Sequence, residues 1–357
     1  MYRSYFFYIA KSYTKYLIVL LLGITVAVTL IDYMKHVTML KDAGNQMILY
    51  IFYTWQFRLS QFYPLAMVFA AILTYMSFVQ SARFVSLLSF GYSKKRLFFP
   101  FILPAVILYI VFLCLQLGDF SYARERAWEI LHQKESNRKV DDLFFKHNHT
   151  FVYVKELDPI AKVLKDVTVF ILKGDEVVSA ILLKKATFDG RFWVAEEADV
   201  MQKKYTKSGV LSGFKRETIH RYKMLEGYKP KVIELIYEGE SLSLLDAIQT
   251  YGILREQHLD TNKIKASFYG KVLLPLFAFF MISVLFFKTV HYVRYMNREL
   301  VWAVSLGGTL LLWGMLYVLY SLGSGGTLSP DIAIALPIGL LMLYTFYLII
   351  RGEEKLA

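Results

Sequence analysis

Six apolar runs constrain this chain more than any other feature. They cover roughly Tyr16–Met34, Phe62–Val79, Phe98–Leu117, Phe268–Phe287, Leu300–Leu322 and Ile332–Ile350. A helix needs about 20 apolar residues to cross a bilayer, and each run meets that length. Between the third and fourth runs lies a stretch of ordinary soluble composition, Gly118 to Ser267, with 25 Lys/Arg and 23 Asp/Glu. The rest of the chain holds 16 Lys/Arg against 6 Asp/Glu, so most of the +12 net charge flanks the apolar runs. That placement excludes nucleic acid as the partner of the basic excess and assigns it to a membrane surface.

The flanking charges also predict orientation. Arg3, Lys11 and Lys15 precede the first run, and Arg83, Lys94, Lys95 and Arg96 follow the second. Lys288, Arg294 and Arg298 follow the fourth, and Arg351 and Lys355 close the chain. With six crossings these segments share one side, which the positive-inside rule makes cytoplasmic. Both termini are then expected inside and the large insert outside. The first run is too long for a cleavable leader and lacks a small-residue cleavage pattern. Tyr2 to Tyr16, aromatic and dotted with lysine, reads as an interfacial helix leading into the first span.

The insert reads as short strands. Phe151–Val154, Val167–Leu172 and Val177–Leu183 are β-branched and aromatic, with Gly174-Asp175 as a turn between the last two. Asp189-Gly190 between two such runs is a hairpin signal. The spacing suggests a sandwich or jellyroll. Leu244, Leu245, Ile248, Tyr251 and Leu254 fall at helical spacing and lead back toward the membrane.

No catalytic constellation is visible. The chain lacks G-x-x-x-x-G-K-[ST], G-x-S-x-G and H-E-x-x-H. His147 and His149 are the closest histidine pair and read as a solvated strand end rather than a metal site; Asp141-Asp142 reads as a loop. A single cysteine, Cys114, excludes an intrachain disulfide.

Two constellations remain. The segment from Arg83 to Arg96 contains a short amphipathic helix, about residues 82–92, with Phe84, Leu87 and Leu88 at i, i+3 and i+4 and Gly91 at its end. It is either an interfacial helix or a docking helix for a cytoplasmic partner, with Arg83, Tyr92 and Ser93 at its borders. The second is a set of basic residues on the side where positive charge is usually sparse: Lys35, His36 and Lys41 after span one, Arg58 before span two and Lys271 opening span four. Asp32 lies within or near span one and could pair with Lys35 at i, i+3. Ionisable residues at membrane depth are functional hypotheses by default, while snorkelling helix ends are the plain alternative. Together these residues could hold an acidic, lipid-like ligand.

At this point the chain resembles the LptF/LptG-type permeases of the lipopolysaccharide-export ABC transporter, over nearly its whole length. The likeness rests on Leu30-Ile-Asp-Tyr-Met-Lys-His, Tyr63-Pro-Leu-Ala, Gly91-Tyr92-Ser93, Thr150-Phe-Val-Tyr-Val, Phe192-Trp-Val, Gly270-Lys-Val-Leu-Leu-Pro, Gly326-Thr-Leu-Ser-Pro and Leu336-Pro337. The region from Asp32 to Lys41 favours an LptG-like member; the LptF-like sister, or a permease for another lipid, stays open. The resemblance implies a helical membrane protein with six transmembrane helices and an inserted periplasmic β-jellyroll. It divides the chain into 1–118 with spans one to three, 119–266 as the β domain, and 267–357 with spans four to six. It also implies an LptF-like partner permease, a cytoplasmic LptB-like ATPase dimer that binds ATP and Mg, and a single-span LptC-like jellyroll protein in the periplasm. This chain would bind no cofactor and carry no nucleotide site. It would be a subunit of the bacterial inner membrane that moves lipopolysaccharide. A membrane-anchored scaffold presenting a β domain is the reading from another class. One departure matters most: the family commonly opens the coupling helix with Ser-Glu, and this chain has Ala82-Arg83.

Overall fold

The structure, a computed structural model, describes residues 2–38, 40, 44–131, 140–147, 150–158, 161–173, 176–205, 211–226, 228, 230, 233, 242–256, 261–289 and 297–351. Lys41, His149, Gly174, Asp175, Arg294 and Lys355 lie outside the described residues. The chain divides into two compact units. One is Met1–Leu131, Ser241–Ile248 and Asn262–Ala357; the other is His132–Glu240 and Gln249–Thr261.

The first unit is helical. Its elements are α1 (Tyr2–His36), α2 (Gly44–Gln80), α3 (Arg83–Ser89), α4 (Lys94–Leu115) and α5 (Ala123–Leu131). Helix α6 (Leu244–Glu256) starts in this unit and ends in the other, and α7 (Asn262–Val272), α8 (Phe277–Lys288), α9 (Arg298–Ser324) and α10 (Leu336–Arg351) follow. Six segments are long and apolar enough to cross a membrane, and each contains one of the six apolar runs or most of it. The Tyr2–Tyr16 stretch forms no separate interfacial helix; it is the first part of α1, which runs unbroken to His36. At 37 residues α2 is about 55 Å long, well beyond the hydrocarbon thickness of about 30 Å. It is therefore longer than one perpendicular crossing requires.

Side-chain distribution fits a lipid solvent. Along α1, Ile18, Val19, Leu22, Val26, Leu30, Ile31 and Met34 point outward, while Ile9, Tyr13, Leu17 and Leu21 pack inward. Most of α2 is enclosed from Tyr63 to Val79, so it forms the centre of the bundle. The Tyr13 hydroxyl donates to the carbonyl of Met67 (3.1 Å), tying α1 to α2. This satisfies a polar group that hydrocarbon would leave unpaired.

Spans four and six are irregular, and the sequence supplies the causes. Pro275 interrupts span four in a 3-10 turn, Leu274–Leu276, because its ring removes a helical donor. Span six opens with one π turn, Asp331–Ala335. The Asp331 carboxylate there accepts from Lys265 Nζ (2.9 Å) and the Tyr269 hydroxyl (2.7 Å), fixing α7 to the start of span six. Gly270 lets α7 approach α9: a Cβ at this position would stand 2.4 Å from Cε2 of Tyr320. Gly270→Ala should therefore destabilise the protein by about 1–3 kcal/mol, as overpacking does. Tyr320→Leu in the same chain should recover most of the loss; full additivity of the two substitutions in an unfolding titration would contradict the contact.

The second unit is one six-stranded antiparallel sheet: β1 (Val140–His147), β2 (Thr150–Asp158), β3 (Val163–Lys173), β4 (Glu176–Phe188), β5 (Trp193–Tyr205) and β6 (Leu211–Met224). The strands pair in chain order, β1 through β6. Among the described residues the six strands form an open up-and-down meander, and no Greek-key crossing of the expected sandwich or jellyroll joins them. Alternation sets its faces: Val152, Val154, Val167, Val169, Ile181 and Leu183 are buried on one side. Trp193 joins them, its indole N–H donating to the carbonyl of Tyr228 (2.6 Å). The expected hairpin forms at 189–192, where Asp189 Oδ1 accepts from the backbone N–H of Arg191 (2.9 Å) and Phe192 (2.7 Å). These donors hold the Asp189 carboxyl below the usual carboxylate range. Asp141-Asp142, read as a loop, lies in β1, because the strand begins at Val140 and Asp142 accepts from the Tyr153 hydroxyl on β2.

Candidate functional site

Two places in the helical unit collect the predicted residues, at opposite ends of α2. The first lies where the end of α1 meets the first half of α2. Asp32 does not pair with Lys35. It turns across the helix interface, and its Oδ1 accepts from Arg58 Nη2 at 3.3 Å. The separation of 26 residues makes this a tertiary contact that helical spacing does not reveal. The Tyr50 hydroxyl donates to Asp32 Oδ2 (3.2 Å). His36 Nδ1 lies 2.9 Å from the Asp32 carbonyl and 3.1 Å from the Tyr50 oxygen, so a proton on Nδ1 serves both. Arg58 also donates from Nη1 to Gln61 Oε1 (2.8 Å).

Both charged side chains are about one-fifth exposed, 22% for Arg58 and 21% for Asp32. Arg58 Nε is buried and has no partner among the described residues. Buried donors rarely stay unpaired, so the guanidinium retains hydrogen-bonding capacity after satisfying Asp32. Lys35 is exposed and forms no ion pair among the described residues. Lys271 is held by another segment: its Nζ donates to the carbonyl of Leu242. The structure thus brings Asp32, His36 and Arg58 together, with Tyr50 as a member the sequence did not indicate. Its position at i+18 from Asp32, on the next helix, gave no local signal.

The second place is α3, at the far end of α2. The helix has seven residues and little intrinsic stability, since short helices are marginal in water. No side chain caps its start, and Ala82 is held in the left-handed region at φ 54°. Its end is well made: Gly91, at φ 82°, donates to Leu88 O (2.9 Å) and Tyr92 donates to Leu87 O (3.3 Å). This is the Schellman pattern that favours glycine. Ser93 then caps α4 by accepting from Arg96 N.

The apolar stripe of α3 faces the bundle. Phe84 is fully buried among Tyr75, Phe78, Phe101 and Phe286, with ring centroids 5.3–6.4 Å away. Leu87 and Leu88 are half-buried against the same core. Phe84 therefore presents no surface to a partner, whereas Leu87 and Leu88 keep part of theirs outward. A short helix at the end of a bundle buries its apolar face in its own core first. What remains outward is Arg83, Ser86, Ser89 and above all Phe90, 74% exposed. Phe90 was missed because it precedes the glycine and lies off the stripe. Arg83, the departure from the family pattern, stacks over the rings of Phe78 (5.3 Å) and Tyr8 (5.5 Å). Its charge is met by its own helices through cation–π contact. Among the described residues no group of three metal-ligating side chains comes together.

Six helices long and apolar enough to cross a membrane, with α2 at their centre, and an inserted antiparallel sheet define a multi-pass membrane protein. A family model described as lipopolysaccharide export system permease LptF/LptG matches residues 7–351, and the chain belongs to that family. No curated protein matches it. The chain is accordingly a multi-pass inner-membrane permease of lipopolysaccharide export, with a transport role.

Proposed function

We propose that this chain is the LptG-like half of the transmembrane unit, paired with an LptF-like permease and driven by a cytoplasmic LptB-like ATPase dimer. ATP and Mg belong to that dimer. In this reading both termini are cytoplasmic and the sheet domain is periplasmic, next to a single-span LptC-like protein. Lipopolysaccharide enters from the outer leaflet and is passed upward. The observation that supports this most is the basic end of α1 and α2, remote from α3: exposed Lys35, and Arg58 partly exposed beside it and held between Asp32 and Gln61. Positive charge there is not called for by the orientation rule, and phosphorylated sugars are its natural complement.

Lys35, Lys41 and Arg58 are assigned to the acidic head group, with His36 and Asp32 organising the mouth and Lys271 bracing span four. A basic residue near an anionic surface contributes about 1 kcal/mol. Lys35→Glu together with Lys41→Glu should therefore reduce lipopolysaccharide transport roughly tenfold or more, with ATPase assembly intact. Normal transport by the double reversal would remove these lysines from the head-group site. Docking of the ATPase is assigned to the outward surface of α3, with Phe90 at its centre and Arg83 at its edge. Leu87, Leu88, Gly91, Tyr92 and Ser93 shape it from behind.

A further inference from the structure

Helix α6 begins beside the end of span three. The N–H of Leu244 donates to the carbonyl of Gln116 (3.0 Å), one residue beyond α4. Ser243 Oγ accepts from Asp246 N (3.1 Å), as an N-cap does. Ser243 N donates to the Tyr122 hydroxyl (3.2 Å), and that hydroxyl donates to Asp246 Oδ2. From the other side, Lys271 of α7 donates to the carbonyl of Leu242. The end of span three and the beginning of span four together hold the first turn of α6.

Length fixes its level. Helix α4 has 22 residues, about 33 Å of helix, close to the hydrocarbon thickness of about 30 Å. With Lys94 at one bilayer surface, Gln116 stands at the other. The start of α6 is therefore at a bilayer surface, whichever side is cytoplasmic.

At that level the outward face of α6 is apolar. Leu245 is 51% and Ile248 57% exposed, and their i, i+3 spacing makes them neighbours on one face. Further along, the same face carries exposed Gln249, Gly252 and Arg255, so it is apolar only where the helix is tied to span three. A single exposed apolar side chain is ordinary on a wetted surface. These two lie where a lipid-facing stripe ends: Ile107, Ile110, Val111, Leu115 and Leu117 all point outward, and the last two flank the Gln116 that holds α6.

We propose that the first two turns of α6 are an interfacial anchor, with Leu245 and Ile248 seated in the lipid surface. An interfacial helix buries its apolar face about 5–10 Å into the boundary between head groups and acyl chains. The one acid in these turns, Asp246, is drawn away from the lipid by the Tyr122 and Ser243 hydroxyls. The anchor gives the returning chain a fixed depth before span four begins. It depends neither on the lipid exported nor on the orientation of the chain.

The test uses the full-length chain, with the subunits that accompany it, in nanodiscs of phosphatidylethanolamine and phosphatidylglycerol free of lipopolysaccharide and nucleotide. Cys114, exposed on span three, is replaced by alanine, and Ile248→Cys or Arg255→Cys carries the fluorophore NBD. Phosphatidylcholine with a nitroxide near the head of one acyl chain should quench NBD at position 248 at least threefold more than at 255. Leu245→Ser in the Ile248→Cys chain should cut that quenching at least twofold. Both positions are exposed, so the unfolding midpoint in detergent should stay unchanged. Equal quenching at 248 and 255 would overturn the proposal. So would NBD at 248 that iodide quenches and the nitroxide lipid does not, since the residue would then stand in water. A benzophenone at 248 that captures a polypeptide in place of lipid would overturn it as well, by showing a protein on this face.

Discussion

Phe84→Ala should destabilise the protein by about 3–5 kcal/mol, the range for removing a large aromatic side chain from a packed core. The expectation follows from how α3 is built. With no side-chain cap, a left-handed Ala82 and seven residues, the helix depends on the ring that it inserts into the bundle. Losing Phe84 empties a site enclosed by four other aromatic rings on α2, α4 and α8, and α3 then has little to hold it. Leu87→Ala with Leu88→Ala should act the same way at smaller size, since both are half-buried against that core. Phe90→Ala is the contrast. At 74% exposure it should change stability by no more than about 0.5 kcal/mol, yet release the ATPase from the purified complex. Equal unfolding midpoints for the Phe84 and Phe90 variants in a mixed-micelle titration would contradict this division of labour.

Asp32→Asn should be the second largest loss, about 1–3 kcal/mol, and Lys35→Asn should be nearly silent in stability. Removing one member of a fully buried pair costs about 3–5 kcal/mol because the other charge is left alone. The Arg58–Asp32 pair keeps about one-fifth of its side-chain surface in contact with solvent, so the cost is reduced. Arg58→Met with Asp32→Asn should be milder than the sum of the single changes, because no uncompensated charge remains. Tyr50→Phe should add a further loss of about 1 kcal/mol. Backbone hydrogen exchange over the last turns of α1 locates the effect. Faster exchange there in Lys35→Asn than in Asp32→Asn would restore the local i, i+3 pair.

The contrast between those two lysine and aspartate variants also marks what the sequence could convey. Hydrocarbon thickness imposes a length on every span, so all six were legible from composition alone. The 189–192 hairpin was legible because Asp-Gly carries its own turn chemistry. The partner of Asp32 was not, since local spacing offers Lys35 and only the packing of α1 on α2 offers Arg58. The direction of Phe84 was ambiguous in principle: i, i+3, i+4 spacing serves a foreign groove and the helix's own core equally well. The meander was hidden for a similar reason, because strand alternation fixes faces but not the order of neighbours. Gly270 was noticed as part of a motif, but the ring of Tyr320 that requires it lies 50 residues away.

The proposed handling of lipopolysaccharide at the basic end of α1 and α2 can be read out by a photoreactive amino acid at position 35, in the complete complex in proteoliposomes loaded with lipopolysaccharide. A lipopolysaccharide adduct is expected, with a yield that changes on adding ATP and Mg and falls when Arg58 is replaced by glutamate. An adduct with protein alone, insensitive to nucleotide, would contradict it and leave Lys35 and Arg58 as helix ends reaching for water.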